Sequence, residues 1–198
     1  MRWIPADGSG AEDVLIPASA FHAPRAMPES WSPDGQTLAM TVPSAETGND
    51  VMLYARREQR VTPFAATRFG EFGAKFSPDG RWLAYVSDES GQNDVYVRAV
   101  SGPSTKYPVS VGGGTAPLWS PSGRELFYRT ASGLISVPVQ TAGTFSAGLP
   151  TELLKGDFPA DRHASPSPDG RRFAVLQALP AVGLTEISVV LNWTTNRK

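Results

Sequence analysis

The sequence predicts an all-β protein: a β-propeller of four-stranded antiparallel blades, forming an incomplete arc of about four blades. Three observations lead to this prediction: a repeated tetrapeptide, apolar residues at fixed offsets from it, and a composition rich in turn formers. Ser-Pro-Asp-Gly begins at Ser32, Ser77 and Ser167, and Ser-Pro-Ser-Gly begins at Ser120, so the steps are 45, 43 and 47 residues. A period of about 40–45 residues is typical of one propeller blade.

Each tetrapeptide has the chemistry of a tight turn. Serine first, proline second and glycine fourth fit a type I turn, and the third-place Asp can bond the neighbouring backbone. A large apolar residue precedes three of the serines, and another follows every glycine by three positions. They are Trp31, Phe76 and Trp119 before the turn, and Leu38, Leu83, Leu126 and Phe173 after it. The pattern predicts strand, turn and strand four times over.

The composition bounds the class of protein. The chain has 198 residues, 40% of them hydrophobic, with 19 Gly, 18 Pro and no Cys. Disulfides and thiolate metal sites are therefore excluded. The formal net charge of −1 gives no basic excess for a nucleic-acid partner. No apolar run approaches the roughly 18 residues of a membrane span, so direct membrane insertion is not expected.

We predict a single domain over residues 1–198. Residues 1–16 are interpreted as the two outer strands of a partial blade, because no tetrapeptide precedes them. Full repeats are predicted at about 25–64, 70–110, 115–154 and 162–192.

Within the first repeat we expect strands at Thr37–Val42, Val51–Tyr54 and Arg60–Phe64, with a polar turn at Ser44–Asp50. The third repeat carries an insertion, Gln140–Leu149, which is most simply a surface loop.

The second repeat contains a strand that is apolar on both faces. In Arg81–Val86, Leu83 and Tyr85 lie on one side, and Trp82 and Val86 on the other. Such a strand is typical of burial on both faces. This burial is what a blade packed between two others requires.

The Ser-Pro-Asp-Gly repeats, the Leu-Ala or Phe-Ala pairs after them, and the Asn-Asp-Val strand starts at Asn49 and Asn93 resemble the WD40-like propeller repeats of the TolB C-terminal domain. The resemblance covers nearly the whole chain, which looks like the C-terminal part of such a propeller. The ending Ile187–Trp193 is similar to propellers at the C-terminus of some bacterial receptor serine/threonine kinases. The resemblance implies an extracytoplasmic, periplasmic location. Because residues 1–30 contain no basic segment followed by an apolar one, a cytoplasmic location stays open.

Two closures are compatible with the repeats. Asp13–Ile16 could supply the missing edge of the last blade and complete a four-bladed ring. Alternatively, the chain is an open arc, which we favour because it begins in the middle of a blade. An open arc exposes strand edges and so favours self-association.

Candidate binding residues precede the inner strands, where the mouth of a propeller tunnel would lie. They are Arg25 and Glu29 in the first repeat and Arg162 and His163 in the fourth. Binding residues are commonly placed on the loops of a rigid scaffold. No metal site or cofactor is expected, because His22 and His163 occupy different blade positions. Gly112–Gly114 has no lysine for a phosphate loop and is interpreted as a flexible connector.

No catalytic residues are predicted, because a Gly-x-Ser-x-Gly elbow and a kinase signature set are both missing. The turn residues Asp34, Asp79 and Asp169 are separated by one blade each and are interpreted as turn formers. The first hypothesis is a non-catalytic propeller that binds a protein or peptide, or senses a ligand. The alternative is the gating propeller of a prolyl-oligopeptidase-like serine peptidase whose hydrolase domain lies outside this chain. A lyase-type propeller acting in its tunnel is a third hypothesis.

Overall fold

The computed structural model describes residues 1–7, 9–17, 20, 25–156, 165–167 and 172–174. The described residues form antiparallel sheets, and no helix among them has the length and apolar character needed to cross a bilayer. Two N-terminal strands, β1 (Arg2–Trp3) and β2 (Asp13–Val14), form a small hairpin, and β16 (Ser165–Pro166) pairs with β17 (Phe173–Ala174).

Between these hairpins lie three larger sheets, here called the first, second and third sheets. The first contains β3 (Met27–Trp31), β4 (Thr37–Ser44), β5 (Gly48–Ala55) and β6 (Arg60–Ala65). The second contains β7 (Glu71–Phe76), β8 (Trp82–Ser87), β9 (Asp94–Ala99) and β10 (Lys106–Pro108). The third contains β11 (Thr115–Trp119), β12 (Glu125–Arg129), β13 (Gly133–Gln140), β14 (Ser146–Ala147) and β15 (Thr151–Lys155).

The first and second sheets, and β11 to β14 of the third, are meanders in which consecutive strands are neighbours and run antiparallel. The first and second sheets have four strands each. In the third, β13 is long enough to pair with β15 along its first half and with β14 at its end. The predicted all-β fold with four-stranded antiparallel sheets is confirmed.

The tetrapeptides that begin at Ser32, Ser77 and Ser120 form the turns between the first and second strands of the three large sheets. In the first copy, the Gly35 amide donates to the Ser32 carbonyl over 2.8 Å, and the Ser32 amide donates to the Thr37 carbonyl over 2.8 Å. The second copy repeats both bonds at 2.9 Å, from Gly80 to Ser77 and from Ser77 to Trp82. The fourth-place glycines have φ near +70°, as a type I turn followed by a left-handed residue requires.

Neighbouring turns also contact one another across the sheets. A Cβ atom placed on Gly80 would lie 3.1 Å from Cδ of Pro33 in the preceding turn. A Cβ on Gly123 would lie 3.6 Å from Cδ of Pro78. The glycine of each turn therefore leaves room for the proline of the turn before it, and the three turns form a continuous row.

The core consists of the seams between sheets. Every residue of β8 is buried. Leu83 and Tyr85 pack toward the first sheet, whereas Trp82 and Val86 pack toward the third. The predicted division of this strand between two faces is confirmed. We call the seam between the first and second sheets the first joint, and the seam between the second and third sheets the second joint.

The N-terminal hairpin packs against the open face of the first sheet. Ile16 is fully buried among Leu38, Met40 and Tyr54. The Tyr54 hydroxyl donates to the Leu15 carbonyl over 2.8 Å. The hairpin covers the face of the first sheet that lies away from the second sheet, and β2 pairs with β1. The choice between the open arc and the closed ring stays a prediction, because most of the last repeat lies outside the described residues.

Two local predictions were wrong. The turn predicted at Ser44–Asp50 is shorter, because β4 extends to Ser44 and β5 begins at Gly48, whose φ of +90° closes a tight hairpin. The insertion Gln140–Leu149 is also more than a surface loop. It contains β14, and Phe145 within it is 2% exposed. Apolar burial of this side chain ties the insertion to the core.

Candidate functional site at the inner strands

The inner strands β3, β7 and β11 each lie at one end of their sheet and are each interrupted by a β-bulge. The register shifts fall between Pro28 and Ser30, between Phe72 and Lys75, and between Thr115 and Leu118. A bulge turns a side chain out of the regular alternation of a strand. In β3 the bulged residue is Glu29.

Glu29 and Lys75 form a charged pair across the first joint. The Lys75 ammonium lies 3.5 Å from Oε2 of Glu29 and donates to the Glu29 carbonyl oxygen over 2.8 Å. The Thr41 hydroxyl donates to Oε1 of Glu29 over 2.7 Å. The two charged side chains are 19% and 29% exposed, so both remain open to solvent while being fixed by these contacts.

The main-chain edge of β7 is already hydrogen-bonded by side chains of the first and third sheets. The Ser30 hydroxyl donates to the Ala74 carbonyl over 3.0 Å and accepts from the Phe76 amide over 3.1 Å. The Trp119 indole donates to the Lys75 carbonyl over 2.9 Å. These bonds occupy groups that an added strand would need. A ligand at this edge would therefore be contacted through side chains, chiefly Glu29 and Lys75.

Of the four predicted site residues, the structure describes two, and only one of these lies in the charged pair. Glu29 lies in the charged pair, and Arg25 is exposed two residues before β3. Arg162 and His163 lie outside the described residues. Sequence reasoning missed Lys75 and Thr41. Lys75 stands two residues before Ser77, where the first repeat has Ser30, so the repeat pattern gave no signal for a charged residue at that position.

The connectors that precede the inner strands are fastened by buried carboxylates of different character. Asp94 is 4% exposed and accepts hydrogen bonds from Ser90 (2.6 Å), Ser110 (2.7 Å) and the Gly113 amide (3.0 Å). Burial alone raises the pKa of Asp94, but these hydrogen bonds to the ionised form outweigh it and hold the pKa below its usual range. The glycine connector that we interpreted as flexible is therefore tied to β9.

Glu71 is the first residue of β7, directly after the connector of the first joint, and is 1% exposed. It accepts hydrogen bonds from the Thr67 hydroxyl and, over 3.3 Å, from the Thr67 amide. Burial raises the pKa of Glu71, and the hydrogen bonds from Thr67 offset this shift in part. Within the described ranges, no cation lies within ion-pair distance of its carboxylate.

Asp34 and Asp79 do not form a site, and Asp169 lies outside the described residues. Asp34 accepts from the Ser32 hydroxyl over 2.5 Å and from the Gln36 amide over 3.0 Å, and these bonds lower the pKa of Asp34. Asp79 makes the equivalent bonds to Ser77 and Arg81. Each carboxylate is used within its own turn. In the part of the chain that the structure describes, no group of three His, Cys, Asp or Glu residues is arranged to hold a metal ion.

No model of a protein family matches the sequence. Solved structures match its fold. TolB from Acinetobacter baumannii superposes with a TM-score of 0.53 at 17% identity, over 85% of this chain and 45% of that one. The fold is a TolB-like β-propeller. The described residues form part of such a propeller, as expected for an incomplete arc.

Other solved structures match to a similar extent. Hydrazine synthase of Kuenenia stuttgartiensis has a TM-score of 0.56 at 14% identity, over 75% of this chain and 57% of that one. A Bacteroides uniformis protein named as a 6-phosphogluconolactonase has a TM-score of 0.54 at 16% identity, over 87% and 55%. This chain spans about half the length of these structures. At such identities the likeness establishes the propeller fold alone, because one fold serves many functions.

Proposed function

We propose that this chain is a non-catalytic propeller module that binds a protein or peptide segment at its inner strands. The observation that carries the proposal is the Glu29–Lys75 pair, which is held in place across two sheets and remains partly exposed. It offers one anionic and one cationic group at a fixed separation. Preorganised groups on a rigid scaffold lower the entropic cost of binding.

The side chains available there favour binding over chemistry. The Thr41 hydroxyl is fully buried and its proton is donated to Glu29, so it lacks the access that a nucleophile needs. The Lys75 ammonium is already bonded to the carboxylate and the main-chain carbonyl of Glu29. A charged pair of this kind suits a polar peptide with both an acidic and a basic side chain.

Peptides selected from a random display library on the full chain, and then measured by calorimetry, test this function. Lys75→Met and Glu29→Gln should each weaken binding at least about tenfold, the effect of losing one charge-assisted contact of roughly 1.4 kcal/mol or more. Arg57→Gln, an exposed position away from the inner strands, is the matched control. Selected peptides that bind all four proteins equally would contradict the proposed site.

The non-catalytic part of the proposal has its own test. A panel of lactones, esters and peptides is incubated with the wild type and with the Lys75→Met and Glu29→Gln variants. We expect no turnover above the buffer rate. Turnover by the wild type that either substitution abolishes would show that the inner-strand residues do chemistry.

We also propose an extracytoplasmic location, with the chain acting as the sensing propeller of a larger receptor. The support is the TolB-like fold and the likeness of Ile187–Trp193 to kinase-linked propellers; those residues lie outside the described part of the chain. Self-association through open edges is proposed as well. Every residue of β15 is exposed, including Leu153 and Leu154. A concentration-dependent mass in sedimentation, reduced by Leu153→Lys, is the expected result, and a monomer at all concentrations would contradict it.

A further inference from the structure

The two joints of the arc differ in whether a buried carboxylate is compensated. In the second joint, Asp94 accepts three hydrogen bonds from two hydroxyls and one amide. In the first joint, Glu71 is buried more completely and receives both of its hydrogen bonds from one residue, Thr67. A buried charge that is poorly compensated is costly to keep ionised.

The groups around Glu71 do not neutralise it. An acidic residue of the first sheet disfavours its ionised form, and two basic residues of the second sheet favour that form without reaching ion-pair distance in the described part of the structure. Of these basic groups, Arg98 is itself half buried and is used elsewhere, because it donates to the Phe64 carbonyl and stacks on the Phe64 ring at 3.7 Å. A buried tyrosine completes the surroundings. These neighbours are Asp50 on β5, Tyr85 on β8, Arg98 on β9 and Lys106 on β10.

Glu71 lies where the first and second sheets are joined, so its charge can affect the stability of that junction. Glu71 is the first residue of β7 and lies directly after the connector 66–70, which links the first sheet to the second. Its bonds to Thr67 fasten that connector, and the Gly70 amide is fastened separately to Asp88 over 3.0 Å. A change in the Glu71 carboxyl therefore acts where the two sheets are linked.

We propose that the first joint is a pH-responsive hinge, closed when Glu71 is protonated and loosened when Glu71 is ionised, while the second joint does not respond over the same range. The sign follows from burial: because the folded joint favours the protonated acid, its stability falls as pH rises from the ordinary glutamate pKa through the raised one. Asp94 has the opposite shift, so the second joint is fully stabilised throughout that range.

Amide hydrogen exchange of the full chain tests this hinge. Exchange is measured between about pH 5 and about pH 8, corrected for the chemical rate at each pH, in peptides covering 66–76 and 109–119. The protection of 66–76 should fall relative to that of 109–119, by up to about tenfold for each unit by which the pKa of Glu71 is raised. Equal responses of the two peptides would overturn the proposal.

Glu71→Gln is the matched variant, because it keeps the shape of the side chain and removes its titration. It should abolish the relative loss of protection at 66–76. Titration common to both proteins, including that of the two histidines, cancels in this comparison. A relative loss that persists in Glu71→Gln would assign the response to another group and overturn the hinge.

Thr67→Val provides a second test if Glu71→Gln does not fold. Removal of the hydroxyl takes away a hydrogen bond that favours the ionised acid, so the loss of protection should move to higher pH. Thr67→Ser keeps the hydroxyl and should leave the midpoint in place. A midpoint that is the same in Thr67→Val as in the wild type would contradict the assignment to Glu71.

Discussion

The first and second joints are built on the same repeat but are closed by different chemistry. The second joint is aromatic: Phe145 lies 5.3 Å from both the Trp82 and Tyr107 ring centres and 6.4 Å from that of Trp119. The first joint pairs Phe64 with Tyr85 among alanines, and it also contains Glu71 and Arg98. The repeated tetrapeptide turn therefore sets the position at which neighbouring sheets meet. The residues packed between the sheets determine how stable that contact is.

The comparison is tested most strongly by Phe145→Ala. Loss of a buried Phe should lower the free energy of unfolding by about 3–5 kcal/mol, because the cavity opens between two sheets. Leu149→Ala in the same insertion, where the side chain is 86% exposed, should stay within about 0.5 kcal/mol. Urea denaturation followed by tryptophan fluorescence measures both. Equal, small effects would mean that the insertion does not clamp the second joint.

Asp94→Asn tests the compensated carboxylate of the second joint. The substitution should lower the free energy of unfolding by about 1–3 kcal/mol at neutral pH, because an amide replaces the carboxylate that accepts three hydrogen bonds. Because the pKa of Asp94 is lowered, its contribution is complete above the ordinary aspartate pKa and is lost as pH falls through the lowered one.

The difference in free energy of unfolding between wild type and Asp94→Asn should therefore become smaller as the pH falls. Urea titrations repeated from neutral to strongly acidic pH measure it. Asp88→Asn, an exposed carboxylate on the other joint, is the control and should cost less. A cost of Asp94→Asn that is constant down to the lowest pH would refute the assigned role of its charge.

Smaller changes in stability, of opposite sign to each other, are expected from substitutions at the bulges of two inner strands. Gly73 has φ of +68°, and Ala116 at the equivalent place has φ of +51°. Gly73→Ala should destabilise by about 1 kcal/mol, and Ala116→Gly should stabilise by a few tenths to about 1 kcal/mol, because only glycine adopts this region without a Cβ penalty. Thermal denaturation of both single variants measures the pair. The same sign for both would show that packing outweighs backbone strain there.

The sequence predicted the parts of the fold that depend on local chemistry. The turns at Ser32, Ser77 and Ser120 and the two-faced strand β8 follow from residue type and spacing, and both are found in the structure. The role of Phe145 could not be predicted, because its contacts come from residues far along the chain. For the same reason Glu29 was identified from its place in the repeat, whereas its partner Lys75 was not. Whether Arg25 takes part in binding stays a prediction.

The row of turns has a consequence for how such a chain grows. The glycine of each turn leaves room for the proline of the turn before it. A unit that runs from one serine to the next therefore supplies the glycine of one such contact and the proline of the following one. A tandem duplication of that unit would recreate both contacts without any new substitution. Tandem duplication alone can thus change the number of blades in this architecture. The residues packed between sheets would be optimised by later substitutions.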